Sequence, residues 1–182
     1  MVVGMVRAIC AVAGLLATLI PALPDVDAVT FAKAFQAGEA DPFKHRQVSG
    51  SGTSFHGAIK ERIADATERT SLVVTLGAAP PGGDLILLRT WDDFVAAERA
   101  RTTLVVALSG PELPAVTPEP TPLRFSGVYD GQVRTIMRVP QAGAGAADSG
   151  PCPGEQPRDP APGAVFYCAP LLTAATATIV PR

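Results

Sequence analysis

The chain has 182 residues and a formal net charge of −2, from 15 basic and 17 acidic side chains. A nucleic-acid-binding domain of this size normally shows an excess of lysine and arginine on one face, so this near-neutral balance argues against nucleic acid as a partner. The length is enough for one domain with its own hydrophobic core, and we expect a single small domain. The bias toward arginine, alanine, glycine and proline over lysine indicates a bacterial chain from a GC-rich genome.

The first 28 residues have the pattern of an export signal. Arg7 precedes an uncharged apolar run over residues 8–24, and residues 26–28 supply a cleavage site that ends in alanine. We predict cleavage after Ala28, which makes the protein periplasmic or secreted. The alternative is an uncleaved anchor, in which residues 8–24 hold the domain at the membrane, although a spanning helix needs about 20 apolar residues.

The predicted domain occupies residues 29–140, and its first elements are two helices separated by a polar loop. Residues 29–40 place two phenylalanines four positions apart, which predicts a short helix with one apolar edge. Residues 49–54 (SGSGTS) predict a flexible loop. Residues 55–69 predict the second helix, because apolar side chains recur there at helical spacing while charged side chains occupy the other face.

Three apolar runs then follow at short intervals. They are residues 72–76 (LVVTL), 85–88 (LILL) and 104–108 (LVVAL). Strands with one solvated face alternate between apolar and polar residues, so unbroken runs predict strands that are buried on both faces beneath a second layer. Between the second and third runs, Thr90 as N-cap and Asp93 three residues later predict a helix over residues 92–101.

The remainder of the chain reads as β-structure. Residues 123–129 and 132–139 flank Asp130–Gly131, which predicts a hairpin with a two-residue turn. A linker rich in proline, glycine and alanine occupies residues 141–163, and two closing strands of the same domain lie within residues 164–182. Together these elements predict an α+β fold, with a mixed or antiparallel sheet and two or three helices.

Cysteine usage agrees with export. Removal of the leader removes Cys10 and leaves Cys152 and Cys168, an even number in a compartment where disulfides persist. We predict that these two pair. The alternative is two unrelated buried thiols.

A cofactor or metal site is not indicated. The glycine-rich stretch ending at Gly57 has the glycine spacing of a phosphate-binding loop, but Ala58 and Ile59 stand where that loop needs lysine followed by serine or threonine. Phe55 occupies the position where a dinucleotide fingerprint needs a third small residue. We therefore expect no cofactor.

The histidines do not form a recognisable metal motif. His45 and His56 are the two histidines, and Asp41 precedes the first by four positions. Structural zinc sites use closely spaced cysteine and histidine ligands, and this arrangement matches none of them. We expect no metal.

Two candidate sites remain as alternatives to ordinary packing. Ser51, Ser54 and His56 supply a hydroxyl and an imidazole for a hydrolase, although the chain lacks a G-x-S-x-G nucleophile motif. A second group of aromatic and basic residues offers a ligand groove, but such aromatics commonly pack at the margin of a core, and we expect packing here. That group consists of Trp91, Phe125, Tyr129, Tyr167, Arg89, Arg124 and Arg134.

By elimination, the sequence favours an exported binding or envelope-assembly module, whose partner is an envelope protein or a small ligand and not a nucleic acid. One alternative is an exported hydrolase whose site the fold assembles near Ser51, Ser54 and His56. Another is a membrane-tethered form of the same domain, with contact to the membrane only through residues 8–24.

Overall fold

The computed structural model describes residues 24–55, 59–60, 71–79, 84–100, 102–115, 119–138, 151–154 and 165–181. Within these ranges the chain forms two α-helices and seven strands. In order they are β1 Val26–Asp27, α1 Ala28–Gln36, β2 Arg46–Ser54, β3 Ile59–Lys60, β4 Ser71–Ala78, α2 Trp91–Arg99, β5 Thr103–Ser109, β6 Thr121–Arg138 and β7 Val165–Ile179. The predicted α+β class is confirmed. Residues 1–23 of the predicted leader lie outside the described residues. Its last residues belong to the fold, since Val26–Asp27 form β1 and the buried Ala28 begins α1.

Five of the strands form a closed ring. β2 pairs with β4, β4 with β5, β5 with β7 and β7 with β6, and β6 returns to pair with β2. The β5–β7 pair is parallel and the other four pairs are antiparallel. Three strands that follow one another along the barrel, β2, β4 and β5, are neighbours, and the next one in the chain, β6, returns to lie beside β2. This order is that of a Greek-key barrel.

The barrel interior holds one hydrophobic core. Alternate residues of the strands face inward, among them Val74 of β4 and Val106 of β5, which are fully buried. Helix α1 packs on this core with Ala28 and Phe31, and the Phe31 ring lies 4.8 Å from the Tyr129 ring of β6. The short helix predicted over residues 29–40 is thus confirmed as Ala28–Gln36.

A second core lies on the outside of the barrel, beneath α2. Phe94 and Ala97 of α2 belong to the same buried cluster as Val73 of β4 and Ala107 of β5, whose side chains point away from the interior. Successive residues of β4 and β5 are therefore buried on opposite faces. The prediction of double-sided burial for residues 72–76 and 104–108 is confirmed, and α2 is the covering layer.

The chain makes two strands where the sequence predicted four. Asp130–Gly131 is not a hairpin turn, because β6 continues through it as one strand of 18 residues. The glycine, at φ 83°, lies where the register with β7 shifts between Tyr129 and Val133, so it serves a bulge. The two predicted closing strands are likewise one strand, β7.

Three further predictions require correction. Residues 49–54, predicted as a loop, belong to β2 and pair along their length with β6. Residues 85–88 are not a strand and make only an isolated bridge from Ile86 to Ala78. The helix predicted over residues 55–69 is wrong at Ile59–Lys60, which form β3, and most of its remaining residues lie outside the described ones.

Candidate functional site

The serines predicted for a hydrolase site do not share a face. Ser51 is exposed on β2, whereas Ser54, three positions further, is 1% exposed, and its hydroxyl has no hydrogen-bond partner among the described residues. Side chains three apart on a strand point to opposite faces. A single imidazole therefore cannot serve both hydroxyls. His56 lies outside the described residues.

The glycines of β2 are explained by close packing. A Cβ on Gly50 would lie 2.5 Å from the Ala28 Cβ of α1, and a Cβ on Gly52 would lie 2.6 Å from the main-chain oxygen of Thr75. Gly50 thus lets α1 approach the barrel, and Gly52 lets β2 approach β4. Both glycines stand in extended strand and not in a phosphate-binding loop.

His45, one of the two histidines considered for a metal site, lies beside a carboxylate of β6. His45 Nδ1 lies 3.5 Å from Asp130 Oδ1, while Asp41 Oδ1 pairs with Lys44 Nζ at 2.8 Å. Hydrogen bonding to Asp41 raises the pKa of the Lys44 ammonium. Across the described ranges, no group of three or more metal-ligating side chains converges.

Asp130 joins three parts of the chain. Besides His45, which lies in the turn before β2, it accepts a hydrogen bond from the Thr173 hydroxyl of β7 on its other oxygen, Oδ2. His45 at φ 61° and Ala174 at φ 47° are the non-glycine residues with positive φ in the described part of the chain. Both flank this junction. No local sequence pattern indicates this junction, because its members are distant in the chain.

The aromatic residues proposed for a groove divide between the two cores. Phe125 and Tyr129 face the barrel interior, whereas Trp91 and Tyr167 pack against the outer core beneath α2. Burial also raises the pKa of the Tyr129 phenol. These rings therefore pack, as expected from their type, and do not line one groove.

The outer face of β4 and β5 packs against α2. In five-stranded Greek-key barrels of the OB class, the face of the second and third strands binds oligonucleotides or sugars. Here the corresponding strands are β4 and β5, and α2 covers their outer side.

One apolar feature stays open to solvent. Residues 84–88, called here the open segment, run beside the end of β4 and include Ile86 at 57% and Leu87 at 54% exposure. Its remaining large residues are covered, since Leu88 is buried in the outer core and Leu85 packs on the inner one. Sequence reasoning treated the run as a buried strand. The turn-forming residues on its amino-terminal side were the available signal against that reading.

The main chain of the open segment is paired on one side. Ile86 exchanges two hydrogen bonds of 2.8 Å with Ala78 of β4, and the Leu88 carbonyl accepts a bond of 3.0 Å from the Thr53 hydroxyl. In the described structure, no residue hydrogen-bonds to the main chain of Leu85 or Leu87. The segment thus presents main-chain groups of Leu85 and Leu87 without a described partner, beside two exposed aliphatic side chains.

Cys152 and Cys168 are joined as a disulfide, with their Cα atoms 4.6 Å apart. The bond fixes residues 151–154 against β7, and the Cys152 N–H donates to the Thr135 hydroxyl of β6 at 2.9 Å. Most of the predicted linker over residues 141–163 lies outside the described residues.

Comparison of the chain with protein-family models, with curated proteins and with solved structures found no match. None of the described helices is long and apolar enough to cross a membrane.

Proposed function

We propose that the protein is an exported binding module that takes up an extended, apolar stretch of an envelope protein along the open segment. The observation that supports this proposal is the combination of main-chain groups without a described partner, at Leu85 and Leu87, with two adjacent aliphatic side chains, Ile86 and Leu87, each more than half exposed. Exposed strand edges are templates for pairing with another chain, and a closed barrel otherwise removes them.

The hydrogen-bonding pattern favours addition of a strand. Successive residues of an extended chain direct their main-chain groups to opposite edges. Since Ile86 is bonded to Ala78, Leu85 and Leu87 direct theirs away from β4. A partner strand would bond to these groups and would contact the exposed side chains with alternate residues of its own, which is the recognised mode of β-augmentation.

Export rests on two sequence features and one structural feature. The leader and the surviving pair of cysteines predict it, and a disulfide is compatible with an oxidising, extracytoplasmic location. Amino-terminal sequencing of the protein from native cells tests this part. A mature form that begins near Val29 supports export with cleavage, an intact amino terminus in the membrane fraction supports the tethered form, and an intact cytosolic chain overturns both.

A cross-linking experiment in native cells tests the binding part. A photoreactive side chain placed at position 86 is expected to give one discrete adduct with an envelope protein. The same side chain at position 179 is the control, because Ile179 is also about half exposed, at 49%, but lies in the regular strand β7. Equal adducts from both positions would mean that the open segment has no special role.

A matched pair of substitutions tests the hydrogen-bonding mode. Leu87→Pro removes the main-chain N–H, and because no described residue accepts a bond from it, the folded chain loses no bond of its own there. Leu87→Ala also removes the branched end of the leucine side chain but keeps the donor. We expect the adduct from position 86 to be lost with proline and retained with alanine. Retention with proline would exclude strand addition.

The hydrolase alternative has weaker support. It would require Ser51 or Ser54 beside His56, and the two serines occupy opposite faces of β2, with Ser54 inside the barrel. No observation among the described residues places a nucleophile beside an imidazole.

A further inference from the structure

The residues at the end of the predicted leader are built into the barrel. Val26 and Asp27 form β1, which pairs in parallel with β2. Val26 and Ala28 are 6% and 1% exposed and belong to the inner core. A Cβ on Gly50 of β2 would lie 2.5 Å from the Ala28 Cβ, so the strand carries a glycine where this alanine packs. The inner core therefore includes part of the segment that a cut after Ala28 would remove.

Two sets of hydrogen bonds fix the same segment. At its beginning, the Arg46 guanidinium donates to the Pro24 carbonyl at 2.6 Å. At its end, Asp27 Oδ2 accepts from the Thr30 N–H at 2.9 Å and from the Thr30 hydroxyl at 3.1 Å, which makes Asp27 the N-cap of α1. Such a cap satisfies a main-chain donor that the first turn of a helix leaves without an intrahelical partner. The segment is thus attached to both β2 and α1.

Cleavage between Ala28 and Val29 would remove these contacts together. The space beside Gly50 would be left empty, and α1 would lose its cap. The new amino terminus would put an ammonium group on Val29, which packs against the inner core at the start of α1. A positive charge is unfavourable at this end of a helix, and partial burial adds the cost of desolvation. These costs fall on the mature fold even if the peptidase acts before the chain folds.

We propose that the mature protein retains residues 24–28, called here the stem, and that the leader is not cut after Ala28. The proposal rests on the export part of the proposed function and concerns the place where leader and domain meet. Of the two forms that the sequence allows, the one cut after Ala28 and the tethered one, the stem fits the tethered form. Leader residues that remain attached then reach the barrel through a paired strand and not through a flexible linker.

The amino terminus of the protein from the envelope fraction of native cells tests the proposal. We expect sequencing to find a first residue at or before Pro24. A chain that begins at Val29 would overturn the proposal but leave export standing, whereas loss of the adduct from position 86 would overturn the binding proposal alone. An intact chain in the cytosol would overturn export, and this proposal with it.

A matched pair of substitutions in the full chain gives an independent readout. Asp27→Ala removes the cap of α1, whereas Asp25→Ala removes an exposed carboxylate that makes no contact in the described structure. Neither change alters residues 26 and 28, the small residues of the predicted cleavage site. In protein purified from native cells, we expect Asp27→Ala to raise the equilibrium constant of unfolding about fivefold, as is typical for loss of an N-cap, and Asp25→Ala to leave it unchanged. If both variants unfolded as wild type does, the proposal would be overturned, because cleavage after Ala28 removes both positions.

Discussion

At the residue scale, the start of α2 contains a hydrogen-bonded carboxylate, that of Asp93. Asp93 Oδ2 accepts from the N–H groups of Thr90 at 3.1 Å and Arg89 at 3.3 Å, while the Asp93 N–H donates to the Thr90 hydroxyl at 3.2 Å. This reciprocal capping box lowers the pKa of Asp93, with hydrogen bonding to Thr90 as the largest cause. Both partners lie within one turn, which is why the sequence predicted this contact.

The pH dependence of this cap follows from the direction of the shift. Because the folded-state pKa of Asp93 is lowered, its contribution to stability is present above the unfolded-state value near 3.8 and is lost as pH falls through the folded-state value. We expect Asp93→Asn to be destabilised relative to wild type near neutral pH and the difference to shrink in acid. Urea unfolding over a series of pH values measures it. Asp92→Asn, in the same turn, is the control, and an equal pH-dependent difference there would contradict the assignment.

A second residue-scale prediction concerns the contact between β2 and β4. Gly52→Ala would place a Cβ 2.6 Å from the Thr75 carbonyl oxygen and 2.6 Å from Val74 Cγ1, so main chain as well as side chain must shift. Overpacking of this kind typically destabilises by about 1–3 kcal/mol. Ser51→Ala, on the neighbouring exposed position, should change the free energy of unfolding by less than about 0.5 kcal/mol. If both substitutions changed the free energy of unfolding equally, β2 and β4 would have space for a Cβ at position 52.

At the scale of elements, the sequence predicted α1, α2 and two buried strands correctly, because each depends on its own periodicity or on a local cap. It failed where an element gained a distant partner. Asp130–Gly131 has the composition of a hairpin turn. The first half of the predicted hairpin, however, pairs with β2 from Thr121 to Tyr129, so β2 takes the place that the second half would occupy. Because of the same pairing, the polar, glycine-rich residues 49–54 form a strand and not a loop. Local propensity is a weak guide where such long-range pairing is available.

The attachment of α2 to the barrel can be tested through the one tryptophan of the chain. The Phe94 ring stacks on Phe55 at 4.5 Å and lies 5.8 Å from the Trp91 ring. Phe94→Ala should cost about 3–5 kcal/mol and shift Trp91 emission to longer wavelength, because the outer core opens to water. Phe31→Ala is the control in the inner core. It should cost a similar free energy yet leave the native emission unchanged, and a shift in both variants would mean that the two cores are not independent.

At the scale of the whole molecule, the unbroken apolar runs predicted a sheet with cover on both sides, and closure of that sheet into a barrel meets this requirement on the inner side. The order of the strands was not predictable from the sequence. It depends on the parallel β5–β7 pair and on the return of β6 to β2, which join parts of the chain that share no local pattern. The open segment was missed for a related reason, since an apolar run alone does not show whether strand partners remain for it.

The disulfide links β7 to residues 151–154, which belong to no helix or strand, and we expect its loss to lower the stability of the whole fold. Cys152 is 1% exposed, its N–H bonds to Thr135 of β6, and Cys168 lies opposite Thr135 in the register of β6 and β7. The bond closes a loop with a sequence separation of 16. Constraint of a loop of about 15 residues contributes roughly 3 kcal/mol in the chain-entropy model.

We therefore expect reduced wild type and the double variant Cys152→Ala, Cys168→Ala to lose about 3 kcal/mol of unfolding free energy relative to the oxidised protein. Urea unfolding with and without a thiol reductant measures this loss. Cys10→Ala is the control, because Cys10 lies in the predicted leader and should change neither value. If the unfolding midpoint of wild type were the same with and without reductant, the disulfide would not stabilise the folded chain. If reduced wild type instead has the same lowered unfolding midpoint as the double variant, the whole effect of the reductant comes from the Cys152–Cys168 bond. The double variant lacks this bond, so the reductant should not change its midpoint.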